Sequence, residues 1–186
     1  MKVTETNLKG CFVIEPQIFG DSRGSFLLEF NKEEFKEKTG FNNEFVLGNQ
    51  SISQYGTIRG LHLQKGKFAQ AKLVRVVKGK ILDVVVDARK DSETYGKVFT
   101  LELSGINNKQ VFVPKGFLHG FSVLEDHTIV SYKCDNYYNP DSEAGVIFND
   151  KDLNIDWKLG SDEIILSEKD AILKTFREFT LNFDKK

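Results

Sequence analysis

The sequence predicts an all-β chain closed into a jelly-roll barrel with a few short helices. Three observations predict it. About ten short segments alternate or run apolar with β-branched and aromatic residues, Gly and Asn punctuation separates them, and only two stretches carry helix-capping signals. A jelly roll closes that many strands with the least exposed edge, and the sixteen phenylalanines would fill its interior.

The elements follow in order. Strands are expected at 11–14 and 25–30. Asn31, with Glu34 three residues on, Phe35 on the inner face and Gly40 past the end, predicts a short helix. Strands at 44–47, 72–77 and 81–86 come next, the last two joined by Lys78-Gly79-Lys80, which reads as a tight hairpin. A strand at 98–103 precedes the turn Gly105-Ile106-Asn107-Asn108, and strands at 110–113, 120–123 and 129–133 complete the series. Ser167, Asp170 and the apolar run 171–173 predict the second helix, and 183–186 read as a loose tail. Without repeats, linkers or low-complexity tracts, the 186 residues form one jelly-roll domain, 1–186.

Composition narrows the function. The 26 basic and 27 acidic side chains are intermingled and leave a net charge of −1, so no field draws nucleic acid or an anionic membrane. No apolar run reaches signal-peptide or bilayer length, which implies a cytoplasmic protein. Cys11 and Cys134 fit neither a disulfide framework nor a zinc spacing and read as buried thiols. Small β-barrels that hold a metal use two histidines one residue apart; here position 64 is Gln, and His62, His119 and His127 are scattered, so no metal is expected. No GxGxxG or GxxxxGK[ST] loop occurs, so no cofactor is implied.

The densest polar cluster in an apolar setting is 51–64, followed by Lys72-Leu73-Val74-Arg75. On an extended chain, period two puts Ser51 with Ser53, and Gly60 with His62 and Gln64, on one face. That face offers a base and hydrogen-bonding groups. Lys72 starts an apolar run that buries its stem, which is costly unless the ammonium meets an anion. Each has a bland reading: a lone histidine between leucines is more often a core histidine, Arg59 and Lys72 are ordinarily solvated strand ends, and Asp170 closes a capping-box sequence that needs no function.

Taken together, these motifs resemble the dTDP-4-dehydrorhamnose 3,5-epimerases, homodimeric cupin-type jelly rolls. The resemblance runs nearly the whole chain, through Phe19-Gly20-Asp21-Ser22-Arg23-Gly24-Ser25-Phe26, Arg59-Gly60-Leu61-His62, Lys72-Leu73-Val74-Arg75, Asp83-Val84-Val85-Val86-Asp87, Pro114-Lys115-Gly116-Phe117-Leu118-His119, Tyr132-Lys133, Tyr137-Tyr138-Asn139-Pro140, Glu143-Ala144-Gly145 and Ser167-Glu168-Lys169-Asp170. It implies His62 as general base oriented by Asp170, Tyr132 as general acid on the opposite sugar face, and Lys72 at the C4 oxygen. It further implies substrate contacts from Arg23, Phe26, Asn49, Arg59, His119, Tyr138, Glu143 and Lys169, with the two arginines on the diphosphate of a nucleotide-linked sugar, and a pocket completed by the second subunit of a homodimer.

Two departures bear on specificity. Leu28 stands where the family has Glu, with Glu29 displaced by one, and Phe45-Val46-Leu47-Gly48-Asn49 replaces the usual Phe-Val-Gln-Asp-Asn. Both remove polar groups from the expected pocket, and loss of a hydrogen-bonding partner can shift specificity by orders of magnitude. Epimerisation at C3 or C5 only, a keto shift between C4 and C3, and ligand binding without catalysis stay open alternatives.

Overall fold

A strand buried on one face must alternate its side chains, and that alternation builds two facing sheets. The computed structural model describes residues 1–182; the expected loose tail at 183–186 lies outside the described residues. The strands are β1 (Lys2–Glu5), β2 (Phe12–Glu15), β3 (Ile18–Asp21), β4 (Gly24–Leu27), β5 (Leu47–Ser53), β6 (Ile58–Gln64) and β7 (Lys72–Lys78). They continue as β8 (Lys80–Asp87), β9 (Val98–Ser104), β10 (Gln110–Val113), β11 (Phe117–Val123), β12 (Thr128–Cys134) and β13 (Glu143–Gly145). Three helices, α1 (Lys32–Thr39), α2 (Glu168–Ala171) and α3 (Phe176–Asn182), lie between or after them.

One sheet has the order β1-β2-β10-β7-β12-β5 and the other β13-β6-β11-β8-β9, while β3 and β4 form a separate hairpin. This is the cupin-type jelly roll the sequence predicts. Along β7, Val74 and Val76 enter the space between the sheets to meet Ile81 and Val85 of β8 and Phe117 and Phe121 of β11. Leu73, one residue out of phase, turns to the outer face and packs with Phe35 of α1 and Phe112. Leu82, Val84 and Val86 of β8 face outward too, under Trp157, Phe176 and Phe179 of the C-terminal segment.

The sequence misjudges several boundaries for identifiable reasons. Lys78-Gly79-Lys80 is not a hairpin: β7 and β8 belong to different sheets, and Gly79 turns the corner between them at φ 81°. A Cβ there would lie 2.2 Å from Thr128 Oγ1, so the crossing needs glycine. The expected strand 25–30 stops at Leu27, and 44–46 precede β5, because Phe30 and Phe45 turn into an aromatic cluster with Phe35 (5.6 and 5.9 Å between centroids). The second helix is a single turn capped by Ser167, and α3 follows it unanticipated. Asn31 caps α1 by accepting from the Glu34 amide, and Gly40 ends it in the left-handed region, as expected.

Candidate active site

Three pieces of local structure bring residues far apart in sequence to one end of the barrel. In β6 the alternation breaks: the β6–β11 register shifts between His119 and Phe121, and Gly60, at φ 118°, lies so close to the backbone of Gly120 that a Cβ would sit 2.6 Å from its Cα. Arg59 and His62, three residues apart, therefore both line the cavity, and Gly60 does not share the His62 face as strict period two would have it. Thr57 bridges Ile165 in parallel, which ties the segment before α2 to the start of β6. From there the capped turn of α2 delivers Asp170.

Asp170 shows why its capping-box sequence is ambiguous. Ser167 Oγ accepts from the Asp170 amide at 3.1 Å, as a cap requires, but the Asp170 carboxylate does not return to the cap. Its Oδ1 lies 2.6 Å from His62 Nε2 instead. Burial alone would raise the Asp170 carboxyl; the hydrogen bond and charge of His62 and the Gly60 amide outweigh it and hold the group below the usual carboxylate range. An ionised Asp170 takes the Nε2 proton as its donor, which leaves the Nδ1 lone pair of His62 facing outward. Glu143 Oε1 is 3.8 Å from that nitrogen.

The cavity encloses about 470 Å³, with a smaller lobe of about 150 Å³; His62, Lys72 and Tyr132 line both. Its two walls are the two sheets. His62 on β6 and His119 on β11 are register partners on one wall, and Lys72 on β7 and Tyr132 on β12 stand on the other. Burial draws Lys72 below the ordinary lysine range, opposed by its neighbours Cys134, Asp83 and Glu143. Burial likewise raises Tyr132, aided by Cys134 and opposed by Arg59. Neither side chain has an ion-pair partner among the described residues.

The remaining predicted residues divide into two groups. Asn49, Arg59, His119, Tyr138, Glu143 and Lys169 all line the cavity or its lobe. Glu143 Oε2 accepts from the Tyr138 hydroxyl at 2.8 Å and from Lys169, a strap across the mouth that joins β13 to α2. Arg59 spends only Nε, on Ser53 Oγ at 3.2 Å. Arg23 and Phe26, in contrast, sit on the β3–β4 hairpin and line neither lobe; the Arg23 side chain is 88% exposed and pairs with its neighbour Asp21. Of the two departures, Leu47 lines the smaller lobe, and Leu28 is exposed. Glu29 leaves the cavity to bind Arg75 and Lys133.

Sequence reasoning passed over Ser51 and Asp83 as site residues. Among the described residues, Ser51 Oγ and Asp83 Oδ1 are the buried side-chain polar atoms without a hydrogen-bond partner. Buried polar atoms are nearly always paired, so an orphan in the wall of the cavity and another just behind it mark a place built to meet something else. Ser51 lines it directly, and Asp83 Oδ2 holds His119 Nε2 at 2.8 Å behind the wall. Asp83 carried a signal, a lone charge inside the apolar run 81–86, that reads equally as a strand-face residue.

A family model described as dTDP-4-dehydrorhamnose 3,5-epimerase matches residues 5–178. An enzyme of that description from Methanothermobacter thermautotrophicus is 46% identical over 175 residues, which cover 94% of each chain. The crystal structure of one from Elizabethkingia anophelis superposes with a TM-score of 0.93 at 53% identity, covering 96% of this chain and 97% of the other. A dTDP-6-deoxy-D-glucose-3,5-epimerase from Legionella pneumophila, solved in complex with dTDP-4-keto-L-rhamnose, gives 0.93 at 41% identity over 98% of this chain and 96% of the other.

Proposed function

This chain belongs to the dTDP-4-dehydrorhamnose 3,5-epimerase family, and from that premise we propose how its side chains invert two carbons of a nucleotide-linked 4-keto-6-deoxy sugar. The enzyme is an isomerase that converts dTDP-4-dehydro-6-deoxy-D-glucose to dTDP-4-dehydro-L-rhamnose. The observation that carries the mechanism is the placement of base and acid on opposite walls: His62 with Asp170 on one side, Tyr132 with Lys72 on the other.

A proton α to a ketone leaves only if the enolate oxygen is stabilised as it forms. His62 Nδ1, the nitrogen that Asp170 leaves free, takes the proton from C3 or C5, and the Asp170 carboxylate stabilises the imidazolium. Lys72, shielded from bulk water, meets the developing charge on the C4 oxygen. Tyr132 then delivers its hydroxyl proton to the other face of the same carbon. Burial holds Tyr132 protonated near neutral pH, the state an acid needs. Arg59 has a free fork for the diphosphate, and Lys169 and Glu143 close the mouth.

The hairpin supports a homodimer. It exposes Ile18, Phe19, Phe26 and Leu28 beside Arg23, an apolar and cationic arm that would complete the pocket of a second protomer. The working place of the protein would be the cytoplasm; among the described residues no helix is long and apolar enough to cross a membrane.

Proton NMR with dTDP-4-dehydro-6-deoxy-D-glucose in heavy water tests this reading. Both the C3 and C5 signals should vanish as the L-configured product appears. His62→Ala should slow exchange at both carbons by about 10³-fold, whereas Tyr132→Phe should exchange with little inversion. Equal, mild losses from both variants would sink the assignment of roles, and exchange at one carbon alone would make the enzyme a mono-epimerase.

A further inference from the structure

Two His–Asp pairs stand side by side in this barrel, and the mechanism uses one. His119 is the register partner of His62, and Asp83 is to His119 what Asp170 is to His62. On β8, Val85 lies opposite His119, so Asp83, two residues along on the same face, reaches the imidazole diagonally. Asp83 is 1% exposed and His119 7%. Among the described residues, the second oxygen of Asp83 accepts nothing.

The charges around Lys72 show what that oxygen serves. From β12 come Cys134, its register partner, and Tyr132; from β13, Glu143; from β6 and β11, Arg59, His62 and His119; from α2, Lys169 and Asp170; from β8, Asp83. Burial keeps the Cys134 thiol protonated, and Glu143 is already engaged by Lys169 and Tyr138. Asp83 has no lysine or arginine partner among the described residues. Lys72, in phase with Val74 and Val76, and Asp83, in phase with Ile81 and Val85, both turn into the space between the two sheets. With Asp170 held by His62, Asp83 is the buried carboxylate there left to balance the Lys72 ammonium.

We propose that Asp83 is a positioning residue of the epimerase: its charge keeps Lys72 an ammonium in a water-poor site, while its other oxygen holds His119 with Nδ1 turned to the substrate. The proposal rests on Lys72 facing the C4 oxygen. A neutral lysine cannot stabilise the enolate, so without Asp83 the site should fail first at high pH.

The test is the pH profile of α-proton exchange in heavy water, measured in a Tyr132→Phe parent so that the tyrosine adds no basic limb. Asp83→Asn keeps an oxygen for His119 and removes the charge. It should move the basic limb down by about one pH unit. Above both limbs exchange is then about tenfold slower, with KM little changed. His119→Asn leaves the charge in place and should leave the limb with the parent. If Asp83→Asn does not accumulate as folded protein, Asp83→Ser removes the same charge with a smaller side chain and should give the same shift. An unmoved limb, a loss equal at every pH, or an equal shift in His119→Asn overturns the proposal. Failure of the wild-type enzyme to exchange either proton would instead defeat the reading of the site.

Discussion

Strand β8 carries two buried carboxylates four residues apart, and they are used in opposite ways. Asp87, 0% exposed, is saturated: Oδ1 accepts from the Arg89 amide and Nε at 3.0 and 2.8 Å, and Oδ2 accepts from Arg89 Nη2, Ser92 and Thr94 at 2.7, 2.6 and 2.6 Å. The same guanidinium lies over the Phe117 ring at 4.2 Å. Asp83, 1% exposed, has only the His119 side chain as a hydrogen-bond partner of its carboxylate among the described residues. A saturated carboxylate has no capacity left for a substrate or a neighbouring charge; it fastens the loop after β8 to the barrel. A half-satisfied one is costly to fold and keeps spare capacity that a neighbouring charge or ligand can use.

Asp170 falls on the Asp83 side of this divide, since its one strong bond goes to His62 and the Gly60 amide reaches it only at 3.5 Å. The division predicts that Asp170→Asn costs activity and little stability. An amide in that place favours the wrong tautomer of His62, and kcat should fall by about 10³-fold, with substrate binding and melting temperature nearly unchanged. A variant that melted early in proportion to its lost activity would place Asp170 with the structural carboxylates.

Asp87→Ala should do the reverse. It leaves the part-exposed Arg89 and the hydroxyls of Ser92 and Thr94 without their charged acceptor, and losing that set of hydrogen bonds costs about 3 kcal/mol of stability. Exchange per folded molecule should match the wild type. Chemical denaturation alongside active-site titration separates the two quantities, and a drop in specific activity would join the Asp87 loop to the catalytic end.

The same contrast is readable in acid. Burial would raise Asp87, but Arg89, Ser92 and Thr94 bring it down to about 2. Its unfolded value is about 3.9, so its contribution is full above that pH and fades as pH falls toward 2, by about 2.6 kcal/mol in all. Wild type should therefore lose that much relative to Asp87→Ala between neutrality and the acid end. Parallel curves for the two proteins would show that Asp87 is not held as its contacts imply.

The sequence revealed one of these two uses better than the other, and the reason is physical. Alternation in 72–77 and 81–86 places Val74, Val76, Ile81 and Val85 inside without further information, because period two follows from the strand itself. The pairing of sheets does not follow from it: Gly79 looks like a hairpin until Thr128 is seen filling the space where its side chain would be. Likewise Arg59 enters the cavity through an irregularity between β6 and β11 that only the partner strand reveals. Lys72, Tyr132 and His62 were legible through the resemblance of ordered motifs, and Arg23 and Phe26 too, yet the fold puts the latter two on an arm outside the cavity of their own chain. Asp83 stands inside the apolar run 81–86 and Asp87 directly after it, and the two look alike; Arg89, Ser92 and Thr94, close behind Asp87 in sequence, are the local sign that its bonds are made nearby.

The smallest expected effect tests saturation itself. Ser92→Ala removes one of three donors to Asp87 Oδ2, and Arg89 and Thr94 remain on that oxygen. The acceptor is therefore not left bare, and the loss should be that of one ordinary hydrogen bond, about 1 kcal/mol, not the desolvation of a buried charge. The Ser92 hydroxyl also accepts from the Thr94 amide at 3.2 Å and shares a contact with the Thr94 hydroxyl at 3.1 Å, so the turn loosens slightly with it. A loss as large as that of Asp87→Ala, measured by urea denaturation, would mean that the five bonds hold only as a unit. The difference between the two carboxylates of β8 would then lie in cooperativity of the network and not in the number of donors each one has.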